Sequence, residues 1–172
     1  MNNESRAKHT SEGGAINTRS PIELINCLFV NNRAIGGDGS TSYTTVRGGA
    51  VMTNPEFWNG DSWVGGTVKV LNSTFMNNYT DNKSTYASGG DSKGGTFYGG
   101  WTSGNKVYML NTIIWGTRTL INGTDSENYL QNTDEKDVHY SKENVKLIVD
   151  YSNIQYSPGA TWTGDYTYAC LL

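Results

Sequence analysis

The side chains best suited to chemistry in this sequence are aromatic. Five tryptophans and eleven tyrosines exceed what thin layers of sheet need for filling, and Tyr43, Trp58, Trp63, Tyr86, Trp101 and Trp162 fall in stretches that read as loops. A flat ring stacks on the apolar face of a sugar while Asn, Asp and Thr side chains hydrogen-bond its hydroxyls, so such loops suit a glycan. Taken singly, each ring reads more simply as a cover over the strand beneath it. The ionisable groups are less ordered. His9 and His139 are far apart and lack the Cys or carboxylate spacing of a zinc site. Asn72, Asn78, Asn82 and Asn122 each open an Asn-x-Ser/Thr glycosylation acceptor, a match that chance produces in a chain so rich in Asn and Thr. Gly36-Gly37-Asp38-Gly39-Ser40 lacks the preceding strand and following helix of a phosphate loop and reads as a flexible turn.

These residues sit in a chain of 172 residues and 18.9 kDa, about one domain. Gly 21, Thr 20, Asn 19 and Ser 15 dominate it, and charged residues make only 17%. Gly, Asn, Ser and Thr compete with helical hydrogen bonding, and the Tyr- and Thr-rich remainder favours pleated sheet. With 35% hydrophobic residues and a net charge of −3 the chain is neither disordered nor a basic nucleic-acid binder. No apolar run approaches the roughly 20 residues of a membrane span, and no signal peptide is visible. Cys27 and Cys170 are too few for a disulfide framework, and Cys27 reads as a small buried thiol.

What organises the sequence is a repeat. Ile22-Glu23-Leu24-Ile25-Asn26-Cys27-Leu28-Phe29, Val68-Lys69-Val70-Leu71-Asn72-Ser73-Thr74-Phe75 and Val107-Tyr108-Met109-Leu110-Asn111-Thr112-Ile113-Ile114 align on asparagine. A weaker copy, Leu147 to Ile154, has Tyr151 in the asparagine slot. Gly13-Gly14-Ala15-Ile16, Gly48-Gly49-Ala50-Val51 and Gly94-Gly95-Thr96-Phe97 precede the first three copies, and Asn31-Asn32 and Asn77-Asn78 follow the first two. Recurrence of several ordered elements at unequal spacing indicates a solenoid with insertions in its loops. Each unit reads as two short strands, with Val68 and Val70, or Ile22 and Leu24, on one buried face. Parallel stacking would bury those faces, and asparagine at the bend tolerates the left-handed conformation. Asn26, Asn72 and Asn111 are thus expected to form a buried amide ladder, and the glycine pairs to mark bends or close approaches. The fold predicted is all-β, a right-handed parallel β-helix of roughly four coils. It divides into a polar N-terminal segment at 1–12, repeats over 13–156 with a long insertion at 116–146, and a C-terminal tail or cap at 157–172.

This succession of Gly-Gly-Ala-Ile, Leu-Ile-Asn-Cys-Leu-Phe-Val-Asn-Asn, Asn111-Thr-Ile-Ile-Trp115 and Tyr151-Ser-Asn-Ile154 resembles the right-handed β-helix repeats of bacterial surface proteins. Polymorphic outer-membrane proteins and proteins with a choice-of-anchor C-terminal domain are among them. The resemblance covers about residues 13–116 and 147–156 and implies a secreted or surface-displayed bacterial protein, here a fragment or an unusually short member. It implies little about activity, since such folds serve as adhesins, autotransporter passengers and polysaccharide lyases. A lyase needs a base, often Arg or Lys, beside the sugar C5 proton and Ca²⁺ held by carboxylates. The candidates would be Asp38, Asp61, Asp81 and Asp91 with Arg33, Arg47 or Lys93, but no two of these acids occupy equivalent positions in successive repeats. The expectation is therefore a non-catalytic adhesion or glycan-contacting module. It needs no metal or cofactor, and its partner would be a polysaccharide or a host or cell-surface glycan rather than nucleic acid or membrane. A carbohydrate-active enzyme, with Ca²⁺ as its ion if it is a lyase, and a structural stalk are the alternatives. Ile25, Leu71 and Leu110, each just before an asparagine slot, should form an outward apolar stripe. With open coil ends, that stripe favours self-association.

Overall fold

Alternation decides the local structure. In Thr67–Leu71 the valines Val68 and Val70 are fully buried while Lys69 between them is exposed, the period of two that a half-buried strand imposes. A computed structural model describes residues 2–85, 91–99, 105–122, 124–125, 138–140 and 145–154. Among them the chain is all-β, with no helix.

The strands fall into five sheets built from parallel pairs, plus one two-stranded antiparallel hairpin. Sheet 1 contains β1 (Glu4–Ala7), β6 (Arg33–Gly36), β13 (Tyr79–Asn82) and β18 (Arg118–Ile121), with the two-residue β19 (Thr124–Asp125) antiparallel on its edge. Sheet 2 contains β2 (Thr10–Glu12), β7 (Thr45–Arg47) and β14 (Asp91–Lys93). Sheet 3 contains β3 (Ile16–Thr18), β8 (Val51–Thr53), β15 (Phe97–Gly99) and β20 (Val138–Tyr140). Sheet 4 contains β4 (Ile22–Ile25), β11 (Thr67–Leu71), β16 (Asn105–Leu110) and β21 (Val145–Asp150), and sheet 5 contains β5 (Leu28–Val30), β12 (Thr74–Met76), β17 (Ile113–Trp115) and β22 (Asn153–Ile154). Along the chain the same sheets recur in the same order, and every repeat strand pairs in register with its equivalent. The hairpin β9 (Glu56–Trp58) and β10 (Trp63–Gly65) is inserted between sheets 3 and 4.

Three expectations change here. A full repeat has five strands rather than two, because Arg33–Gly36, Thr45–Arg47, Tyr79–Asn82 and Asp91–Lys93, read as loop, are strands of sheets 1 and 2. Residues 1–12, read as a polar segment outside the repeats, contribute β1 and β2 to those same sheets. The insertion at 116–146 starts later than expected, since Arg118–Ile121 pairs with β13. The 157–172 tail, and most of that insertion, lie outside the described residues.

The core is divided by polarity. Leu24, Val70, Met109 and Val149 form one inward column of sheet 4, and Phe75 and Ile114 continue the apolar cluster from sheet 5. Phe29 stacks on Phe75 with ring centroids 4.8 Å apart and planes 4° from parallel, a separation at which aromatic pairs attract. Val51 and Phe97 add sheet 3. The interior of sheets 1 and 2 is instead small and polar: Ser92 Oγ donates to Thr80 Oγ1 at 2.9 Å, and Ser11 Oγ to the Ser5 carbonyl at 2.8 Å.

Corners are made by residues that accept positive φ. Asn26, Asn72, Asn111 and Tyr151 have φ of 54°, 49°, 48° and 46°, and Asn31, Asn77 and Gly116 have 55°, 54° and 69° at the next corner. Asparagine and glycine enter this region most readily. Far-UV circular dichroism should accordingly show sheet with very little helix; a helical share above about a third, the ordinary globular level, would contradict this architecture.

Candidate functional site

Of the aromatic residues singled out, the structure brings two together. Trp58 and Trp63 are directly opposed across β9 and β10. Their rings lie 5.8 Å apart, edge to face at 65°, and are 56% and 59% exposed. Phe57, on the alternate face of the same strand, is also half exposed. The hairpin is closed by Asn59, whose Oδ1 accepts from the amides of Asp61 (3.0 Å) and Ser62 (2.9 Å), an Asx turn that fixes the loop through its own side chain.

Its root is held by buried amides. Asn105 Nδ2 donates to Asn54 Oδ1 at 3.1 Å, and the Gly66 amide donates to Asn105 Oδ1 at 2.9 Å. Asn54 Nδ2 reaches Glu56 at 3.2 Å, and the Glu56 amide donates to the Arg19 carbonyl at 2.9 Å. Both asparagines are 1% exposed, so the first and last residues of the insertion are tied to the sheet body by satisfied buried groups. Two indoles are thereby presented to solvent on a short, anchored element. Chemically they offer apolar, slightly electron-rich faces rimmed by the Asn59, Asp61 and Ser62 side chains of the turn.

The other candidates are dispersed. Tyr43 is exposed on the connection between β6 and β7, which joins sheets 1 and 2. Tyr86, Trp101 and Trp162 lie outside the described residues. Asp38 pairs with Arg6 at 3.4 Å, Asp61 is in the hairpin turn, and Asp81 is buried in sheet 1 beside Ile35 and Leu120. Asp91 begins β14. Arg33 bonds Glu4, Arg47 bonds Glu12 at 3.2 Å, and Lys93 pairs in register with Arg47. Among the described residues no three His, Cys, Asp or Glu side chains gather as metal ligands would. His9 Nδ1 lies 3.2 Å from Ser42 Oγ, and His139 is a residue of β20.

The asparagine ladder is displaced by one corner from its expected place. Asn26, Asn72 and Asn111 do turn the chain, but all three are exposed. Asn111 Nδ2 donates to Asn72 Oδ1 at 3.0 Å, while Asn26 is joined to the next repeat by its backbone amide on the Leu71 carbonyl at 3.1 Å. The buried ladder is Asn32–Asn78, which the exposed Asn3 extends by one rung. Asn78 Oδ1 accepts from both the amide and the Nδ2 of Asn32 at 2.9 Å, and Asn32 Oδ1 accepts from the amide and Nδ2 of Asn3 at 3.1 and 2.9 Å. The pairs Asn31-Asn32 and Asn77-Asn78 are the signal for it: the first residue turns the corner and the second points inward. Of the glycosylation acceptors Asn72, Asn78, Asn82 and Asn122, Asn78 and Asn82 are buried and Asn72 and Asn122 exposed.

No family model matches the chain, and neither a curated protein nor a solved structure matches it. The surface itself therefore carries the functional argument. Besides the hairpin it exposes apolar rows. Ile25, Leu71 and Leu110 align across sheet 4 as alternation requires. Across the asparagine corner, Leu28–Thr74–Ile113 and Val30–Met76–Trp115 align on sheet 5, with Leu28 66% exposed.

Proposed function

We propose that this chain is a right-handed parallel β-helix of roughly four coils, from a secreted or surface-displayed bacterial protein, and that it contacts glycan through Trp58 and Trp63 without catalysis. The ordered return of the chain to the same parallel sheets supports the solenoid part of the reading. The observation that carries the glycan reading is the exposed Trp58–Trp63 pair on an anchored hairpin. Burying one such ring against a sugar gains stacking and hydrophobic energy at little conformational cost, since the ring pair is already ordered. A solenoid that held only its own core would have no use for two indoles on an inserted hairpin.

The test is glycan-array screening followed by titration monitored through tryptophan fluorescence. Trp58→Ala and Trp63→Ala should each weaken binding about tenfold or more, the loss expected for one stacked aromatic anchor of about 1.5 kcal/mol or more. The denaturation midpoint should move little, because both side chains face solvent. Undiminished binding by the double variant would overturn the hairpin as the contact. Release of an ultraviolet-absorbing unsaturated uronate from pectin or alginate with Ca²⁺ would overturn the non-catalytic reading in favour of a lyase. Binding to no glycan at all would favour a structural stalk.

A further inference from the structure

A groove of about 520 Å³ runs along the corner between sheets 5 and 1, lined by Asn2, Asn31, Arg33, Asn77, Tyr79, Gly116 and Arg118. It is on a different corner of the repeat from the tryptophan hairpin, which is inserted between sheets 3 and 4. Parallel pairing places Arg33, Tyr79 and Arg118 side by side on successive strands. The Arg118 guanidinium lies over the Tyr79 ring, 5.2 Å from its centroid, and Arg33 Nη1 donates to the Tyr79 hydroxyl at 3.3 Å. Tyr79 thus orders both cations, by cation–π contact on one side and a hydrogen bond on the other. The corner residues Asn31 and Asn77 add carboxamides. Gly116 follows Asn77 in their column, and the Asn77 carboxamide takes the place a side chain would need there, a Cβ falling 2.1 Å from Asn77 Oδ1.

The lining contains two guanidinium groups and no carboxylate, in a chain whose net charge is −3. Glu4 stands outside the groove and bonds Arg33 Nε, with Arg6 at 2.6 Å on its other oxygen. The Arg6 hydrogen bond, and then that of Arg33, hold its carboxyl below the usual carboxylate range, so Glu4 offsets part of the Arg33 charge. Arg118 has no carboxylate partner among the described residues. Its planar fork of five donors matches the oxygens of a carboxylate or sulfate, and the carboxamides match hydroxyls. The strands that carry the two cations are two spacings apart, roughly 9–10 Å between backbones, which suits acid groups repeated along a linear ligand better than a single small anion.

We propose that this corner groove is a second binding site, for an acidic saccharide whose carboxylates or sulfates are held by Arg118 and Arg33. The proposal extends the glycan reading but does not depend on the hairpin. Calorimetric titration of the full chain would use a galacturonate hexamer, its methyl-esterified counterpart, a heparin-derived hexasaccharide and inorganic phosphate. At least one acidic hexamer should bind, with the neutral ester at least tenfold weaker and phosphate negligible. Tighter binding of the galacturonate hexamer would assign the preference to carboxylates, and tighter binding of the heparin hexasaccharide, which carries both groups, would show that sulfates add to the contact. Arg118→Gln should weaken binding at least tenfold, Arg118→Lys less, and added salt should weaken it further. The Trp58→Ala/Trp63→Ala double variant should bind the acidic hexamer as the parent does, even where it has lost its array ligands. The site is overturned if Arg118→Gln, with an unchanged circular dichroism spectrum, binds undiminished, if ester and acid bind equally, if phosphate binds as tightly as the hexamer, or if only the tryptophan variant loses binding.

Discussion

Replacing Asn78 by alanine should destabilise the fold by about 2–6 kcal/mol, although it removes a single small side chain. Asn78 is fully buried. Its Oδ1 is the acceptor for both the backbone amide and the Nδ2 of Asn32, and its Nδ2 donates to the Phe29 carbonyl at 3.1 Å. Asn32 is itself 1% exposed, so the variant leaves two donors without an acceptor and without water. Each such orphaned group costs about 1–3 kcal/mol. Asn78→Thr should recover part of the loss. At the preceding corner, hydroxyls already do this work: the Cys27 amide donates to Ser73 Oγ at 3.2 Å and the Thr112 amide to Ser152 Oγ at 3.0 Å. The exposed corner supplies the contrast, since Asn72→Gly keeps access to positive φ and loses only a solvent-facing amide bond, a change of about 0.5 kcal/mol or less. Equilibrium denaturation measures all three. Equal midpoints for Asn78→Ala and the parent would show that the buried ladder bears no stability.

The contrast between these two asparagine rows shows what was legible in the sequence. Recurrence alone aligned Asn26, Asn72, Asn111 and Tyr151, and all four turn the chain at positive φ. Alternation likewise placed Val68, Val70 and Leu24 inside and the Ile25, Leu71 and Leu110 row outside. Which asparagines are buried was not legible from recurrence, because a turning residue and the residue after it repeat at the same period. Only the geometry of the left-handed residue decides that Asn31 and Asn77 stay outside while Asn32 and Asn78 enter the core. Sheets 1 and 2 were missed for a related reason. Their inward positions, Ala34, Thr80 and Thr119 in one and Ser11, Val46 and Ser92 in the other, are small and mostly polar. With Ser and Thr mixed among Ala34 and Val46 inside, and with Ile35 and Leu120 buried on the other face of sheet 1, these strands show no clean period of two. The candidate site divides in the same way. Trp58 and Trp63 were visible as aromatic residues in an insertion, but their opposition across a hairpin is set by the Asn59 turn and the buried Asn54–Asn105 pair. The Arg33, Tyr79 and Arg118 column was invisible as a unit, since a tyrosine stands between the two arginines and the three meet only through the strand register.

Gly49→Ala should be among the most damaging single substitutions in the chain, costing on the order of 4 kcal/mol or more. The reason is space rather than backbone conformation. A Cβ at position 49 would lie 1.9 Å from the Gly95 carbonyl oxygen and 2.5 Å from that of Tyr79. All of these obstructing atoms are backbone, so no rotamer change relieves them. Gly14 repeats the arrangement one repeat earlier, with the Gly49 oxygen at 2.1 Å and the Arg33 amide nitrogen at 2.6 Å from its would-be Cβ. The second glycine of the first two Gly-Gly pairs thus lets two segments of chain pass backbone to backbone, pinning the start of sheet 3 against the start of sheet 1. Moving Gly49 off the Gly95 carbonyl would in turn strain the bonds between successive glycine turns, Gly14 amide to Gly48 carbonyl and Gly49 amide to Gly94 carbonyl, both 3.1 Å. Gly39→Ala separates this effect from conformational strain. Gly39 has φ of 68° but nothing within 4 Å of its Cβ position, so alanine there should cost only about 1 kcal/mol, the ordinary penalty for a left-handed residue. Thermal unfolding followed by circular dichroism should therefore show Gly39→Ala slightly below the parent, and Gly49→Ala either melting far lower or failing to fold cooperatively. Equal melting of the two variants would mean that the close passage at Gly49 does not hold in solution.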